Sequence, residues 1–200
     1  ATAIRDGAKP AFTLLIGAAG SALTVEEQNI YNTRVRMQCA GIPEDDVELA
    51  LEQQRAFFAT RRDAAQSGKL KQISLRAARS PALANWLFPD SVRSDAPAQW
   101  YDVLDPDFDP LPVWAAYPGR AYFLFSDNDD STPTSVATGR LSAAKVSGVR
   151  RVHVLTGAQH LGLTAESLCR GEFESMNGFH PDFFPTLDRW MAEIRGRNLN

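Results

Sequence analysis

Residues 120–160 read RAYFLFSDNDDSTPTSVATGRLSAAKVSGVRRVHVLTGAQH. The run over 120–126 is apolar and aromatic, of a length that suits a buried strand. Residues 132–148 carry a helical pattern that closes at Gly148, and residues 149–157 are a second strand. A strand, a helix and a strand in this order form a crossover unit, which joins neighbouring parallel strands in the right-handed sense. The expected fold class is therefore α/β. Asp127, Asp129 and Asp130 stand directly after the first strand, and His160 follows the second. In parallel α/β sheets, ligands and reacting groups gather at the carboxyl ends of strands.

Outward from this unit, residues 11–21 (AFTLLIGAAGS) predict a third strand, preceded by the tail of a helix and a turn. Residues 24–104 show no strand alternation and read as helical throughout. Thr24 with Glu27 forms a capping box, and the helix it opens stops at Gly41. Pro43 starts the next helix, with Glu44, Asp45 and Asp46 near its positive end. Val47, Ala50, Leu51, Gln54 and Phe58 give that helix a single modest apolar face. A break is expected at 66–69, then a short helix over 70–79, and another with Ser80 as N-cap and Pro81 at its first position. Residues 98–104 suggest one more helical turn, and 105–119 a proline-rich connector. The last helix, from about residue 181, places Phe184, Leu187, Trp190, Met191 and Ile194 on one face. The expected organisation is a core strand with a helix tail at 1–23, a helical insertion at 24–104, and core strands with a final helix at 105–200.

Bulk properties narrow the function. The net charge is −3, with no basic run, which argues against a nucleic-acid partner. No apolar stretch reaches the roughly 20 residues of a membrane helix. The two cysteines, Cys39 and Cys169, have no metal-ligand spacing, and a single bridge between them stays open. No cofactor or metal site is read. Location stays open between the cytoplasm and export, as does oligomeric state. The first residues carry no secretory pattern, and something upstream is expected.

The aspartates admit several readings. Asp127 and Asp129 with the strand before them resemble the Asp-x-Asp motif of haloacid-dehalogenase-like phosphatases, with Ser131 in a position that is usually threonine. That chemistry needs a downstream lysine and a second acidic pair; only Lys145 follows, with no acidic cluster. A calcium loop from Asp127 would need glycine at its sixth place and glutamate at its twelfth, where Thr132 and Thr138 stand. A solvated turn is the plainest reading for Asp127 and Asp130. The third use is an acid that orients a histidine. Of the three histidines, His153 falls mid-strand and reads as packed, and His180 reads as structural or exposed. His160 lies in a glycine-flanked loop after a strand, where reacting residues tend to be held.

Ser126-Asp127-Asn128-Asp129 with Pro133, followed after a helix and a strand by Gly157-Ala158-Gln159-His160, resembles the C-terminal half of an α/β-hydrolase. Serine stands where that family usually has glycine. The resemblance extends over nearly the whole chain through short motifs whose order and spacing carry the weight. It implies a partial parallel sheet of the α/β-hydrolase fold with a helical cap insertion. It further implies Asp129 as triad acid, His160 as base, and a serine hydrolase acting on carboxylic ester, thioester or amide bonds. The family's Gly-x-Ser-x-Gly turn is missing, since Ser21 follows its glycines instead of lying between them. By the family's order the serine and the N-terminal half of the fold precede residue 1, and this chain alone is expected to be inactive. Tyr31, Met37, Phe57, Phe58, Trp86, Leu87 and Phe88 are candidates to line an apolar substrate pocket, against plain helix packing. Two other classes stay open: a non-catalytic interaction module of the same fold, and the phosphatase.

Overall fold

The computed structural model describes residues 1–17, 22–89, 105, 107–144, 150–169 and 178–196. The chain divides into two compact units, one of Ala1–Leu23 with Asp109–Asn200, the other of Thr24–Phe108.

The first unit is a mixed α/β body. It contains α1 (Thr2–Arg5), β1 (Phe12–Ile16), and, after the second unit, α5 (Leu111–Ala116), β2 (Arg120–Ser126), α6 (Thr134–Ala143), β3 (Arg150–Leu155) and α7 (Phe183–Gly196). Its three strands form one parallel sheet in the order β1-β2-β3. Leu14 lies opposite Tyr122, and Leu124 opposite His153. Every residue of β2 from Ala121 to Ser126 is buried, which explains why that strand is a continuous apolar run without alternation. Its side chains still divide by face. Tyr122 and Leu124 pack with Phe183, Trp190 and Ile194 of α7. Ala121, Phe123 and Phe125 pack with Trp114, Tyr117, Ala137 and Leu141. Burying each large side chain of this kind contributes about 1.5–3 kcal/mol, so the central strand dominates the core. Both β1 and β3 are edges among the described residues.

Two expectations for this unit change. Phe184 is 55% exposed and Phe183 is buried, so the inward face of α7 runs through Phe183, Thr186, Trp190 and Ile194. The helix begins at Phe183, two residues later than expected, with Pro185 in its first turn. The proline-rich connector is not structureless either. Asp109 Oδ1 accepts from Leu111 N at 2.9 Å, and the short helix that follows buries Trp114. The Gly148 stop lies outside the described residues.

The second unit is helical: α2 (Val25–Cys39), α3 (Glu44–Arg62), a 3-10 turn at Ala64–Gln66, α4 (Ser67–Ala77) and a 3-10 turn at Pro81–Leu83. The capping box at Thr24 and Glu27 is complete in both directions, worth about 1 kcal/mol. At the other end Gly41 takes φ +71°. Gly41 N donates to Gln38 O, and Ile42 N to Met37 O, both at 3.0 Å, the paired bonds of a Schellman close. The expected single face of α3 is corrected. Gln53, Ala56, Phe57 and Thr60 are buried beside the expected stripe, because α2 and α4 both pack on this helix. The expected break at 66–69 is the start of α4, and the segment after Ser80 makes only a 3-10 turn. The turn expected at 98–104 lies outside the described residues. Cys39 and Cys169 are both disulfide-bonded. No described helix is long and apolar enough to cross a membrane.

Candidate active site

The parallel register carries β2 and β3 to the same rim, and the loops after them are stitched together beyond the last ladder pair. Asp127 N donates to Leu155 O at 3.2 Å, and Asn128 N to Ala158 O at 3.0 Å. Gly157 N donates to Asp127 Oδ1 at 2.7 Å, and Asn128 Nδ2 to Ala165 O at 2.9 Å. These bonds hold the loop that bears Asp129 against the loop that bears His160.

Asp129 is wholly buried. Its Oδ1 accepts from Ser131 N at 2.7 Å and from Thr132 N at 2.8 Å, so the carboxylate also ties the turn that leads into α6. His160 Nδ1 lies 2.9 Å from Oδ2 and 3.0 Å from Oδ1. An ionised carboxylate only accepts, so Nδ1 carries the proton. The hydrogen bond to Asp129 raises the His160 pKa above its ordinary 6.5, against an opposing effect of burial, and the charges of Asp129 and Asp130 add to the rise. Nε2 has no hydrogen-bond partner among the described residues.

Gly17, at the end of β1, completes the surroundings of the ring. It has φ +61°, and a Cβ built there would stand 2.5 Å from His160 O, 3.2 Å from Cε1 and 3.3 Å from Nε2. The histidine therefore occupies space that any side chain at residue 17 would fill. Nε2 thus lies beside the carboxyl end of β1, an edge strand among the described residues. This close approach was missed in the sequence, where a glycine at a strand end is one of many turn signals.

The remaining predicted residues fall in varied places. Asp127 is a latch on the His160 loop, a role beyond the solvated turn read from sequence, and Asp130 accepts from Ser131 Oγ. His153 is partly buried in β3, with its pKa lowered by burial and then by the charge of Arg189. His180 bridges Thr156 O and Asp182 N, which fixes its tautomer and leaves it structural. Phe57 and Phe58 are 1% and 0% exposed and pack edge-on with Phe88, so they serve the core of the helical unit instead of lining a pocket. Met37 is buried in that unit as well. Tyr31 is half-buried on α2, and Trp86 and Leu87 line a cleft in the helical unit. Among the described residues, no group of three or more His, Cys, Asp or Glu side chains is placed to hold a metal ion. Ser21 lies outside the described residues.

No family model, curated protein or solved structure matches the chain. The functional reading therefore rests on the geometry of this site.

Proposed function

We propose that Asp129 and His160 are the acid and base of a serine-hydrolase triad on an α/β-hydrolase type of sheet, acting on a carboxylic ester or a related acyl bond. The observation that carries this reading is the 2.9 Å contact between His160 Nδ1 and a fully buried Asp129 carboxylate. A buried carboxylate is costly unless its lone pairs are engaged; this one engages two backbone N–H groups and one imidazole. Asp129 holds the ring in the Nδ1–H tautomer and stabilises the imidazolium that forms during turnover. Nε2 takes the proton of a serine hydroxyl as the oxygen attacks the acyl carbon, then returns it to the leaving alcohol, thiol or amine. Water repeats the cycle on the acyl-enzyme, with Nε2 again taking and returning the proton.

The serine comes from outside the described residues. β1 is an edge of the described sheet, and its outer N–H and C=O groups can pair with one more parallel strand, whose end would then approach Nε2. Leu161, Phe179 and Phe184 are 46%, 49% and 55% exposed, close in the chain or packed next to the His160 loop, which supports an apolar acyl substituent.

The test is covalent labelling by a fluorophosphonate of the protein expressed from its complete natural reading frame. Labelling that persists in His153→Ala and disappears in His160→Ala supports the triad. A folded protein that takes no label removes the reading.

A further inference from the structure

The helical unit contains a polar cleft of about 560 Å³, a volume common for small-molecule sites. Asn29, Asn32 and Arg36 of α2 share one face at spacings of three and four residues and line one side. Gln54 of α3, Asn85 and Trp86 contribute to the rest. Among the described lining residues none is acidic, and Arg36 is the one charged side chain.

Its chemistry is that of side chains which donate and accept together. Each amide offers an oxygen acceptor and an N–H2 donor, the same dual capacity that a hydroxyl group has. Asn29 Nδ2 is engaged with Val25 O at 2.8 Å, which leaves its oxygen as the available acceptor. Trp86 packs partly against the apolar cluster around Met37 and Leu51, and the rest of its surface adds a flat apolar wall to the cleft. Trp rings of this kind suit ligands that are apolar on one face and polar at the edge.

Gln54 supplies the second observation. The side chain is 1% exposed. Its Nε2 donates to Thr33 Oγ1 at 2.9 Å and to Trp86 O at 3.3 Å. The carbonyl acceptor fixes which end of the amide is nitrogen, so the buried Oε1 is the atom left without a partner. Its neighbour Gln53, equally buried, satisfies both ends through Ser74 Oγ, Phe88 O and Phe88 N. Gln54 Oε1 is closed off from the cleft, and what this amide supplies is a brace: through Thr33 Oγ1 and Trp86 O it holds the Trp86 wall against α2 from behind.

We infer that this cleft is a saccharide-binding site that takes a neutral oligosaccharide, with its hydroxyls on Asn29, Asn85 and Arg36 and a sugar face on Trp86. Its described lining residues all belong to the helical unit, and the inference does not depend on the role of Asp129 and His160. Full-length chain is titrated calorimetrically with cellotetraose, xylotetraose, maltotetraose and chitotetraose, and with blocked tetra-alanine as a peptide that also mixes donors and acceptors. One tetrasaccharide is expected to bind, and Asn85→Ala and Arg36→Ala should each weaken it by about tenfold, the loss of one polar partner. Both residues are exposed, so unchanged melting curves are expected to show that the variants fold. Trp86→Ala should remove measurable binding. Failure of all four sugars to bind, binding indifferent to these substitutions, or uptake of the peptide in place of the sugars would overturn the inference.

Discussion

Replacing Asp129 by Asn probes the site sharply, because the structure fixes which way the new amide must face. Oδ1 receives two backbone N–H groups, from Ser131 and Thr132. Turning the amide nitrogen towards them would oppose donor to donor at two groups, at a cost of about 1–3 kcal/mol each. The oxygen therefore keeps its place, and the –NH2 takes the position of Oδ2, 2.9 Å from His160 Nδ1. Nδ1 must then accept, and the ring proton moves to Nε2. A ring protonated there cannot take a proton from a hydroxyl. Loss of the same tautomer in a serine protease lowers kcat about 10⁴-fold, and a comparable loss is expected here. Nitrogen-detected NMR on the chain reads the tautomer directly, without any need for substrate. The parent should show a protonated Nδ1 at high pH and the Asp129→Asn variant a protonated Nε2, with little change in melting because both backbone bonds survive. A variant that keeps the Nδ1–H tautomer, or full fluorophosphonate labelling, would refute the reasoning.

Three further outcomes are expected. Gly17→Ala sets a methyl group against the His160 carbonyl oxygen, a backbone atom that cannot step aside, and should cost about 10²-fold in rate through misplacement of the base. Its NMR signature is a displaced His160 ring resonance while His153 stays unchanged. Asp127→Asn keeps the acceptor for Gly157 N and should be near neutral, whereas Asp127→Ala should cost ~1 kcal/mol in denaturant unfolding. On pH, His160 titrates above 6.5 in the fold, so its contribution to stability is complete below 6.5 and is lost as pH rises through the raised value. His153 works in the opposite sense, since its lowered pKa gives stability that is lost as pH falls through that value. Residue-resolved NMR titration separates the two, and the acid limb of kcat/KM should follow His160 and lie above pH 6.5.

The parallel crossover was readable because β2 declares itself as an unbroken apolar run and the helix between the strands is bounded by turn residues. The choice of Asp129 over Asp127 and Asp130 also came from sequence, though through a family resemblance and not from the residues alone. Proximity between Asp129 and His160 is a consequence of register, which no local pattern encodes. Misjudged elements fail for identifiable reasons. The buried set on α3 was underestimated in part because glutamine scores as polar, while Gln53 is buried by bonding to Ser74 Oγ and Phe88 O. Phe183 and Phe184 exchange roles because adjacent apolar residues give no phase of their own to a helix. Gly17 was opaque because what it avoids is contributed by a residue far along the chain.

The latch between Asp127 and Gly157 has a kinetic implication. Asp129 and His160 are separated by 31 residues, within one strand–helix–strand segment, so bringing them together closes a short loop and carries a modest entropic penalty. Contacts of low sequence separation tend to form early. Asp129 and His160 are thus expected to meet during folding before the distant β1 pairs with β2, and the three backbone amides that stitch their loops, of Asp127, Asn128 and Gly157, should be among the slower to exchange with deuterium. A proton-transfer pair assembled in this way is ready in advance, and whichever protic group later arrives at Nε2 meets a base whose orientation is already settled.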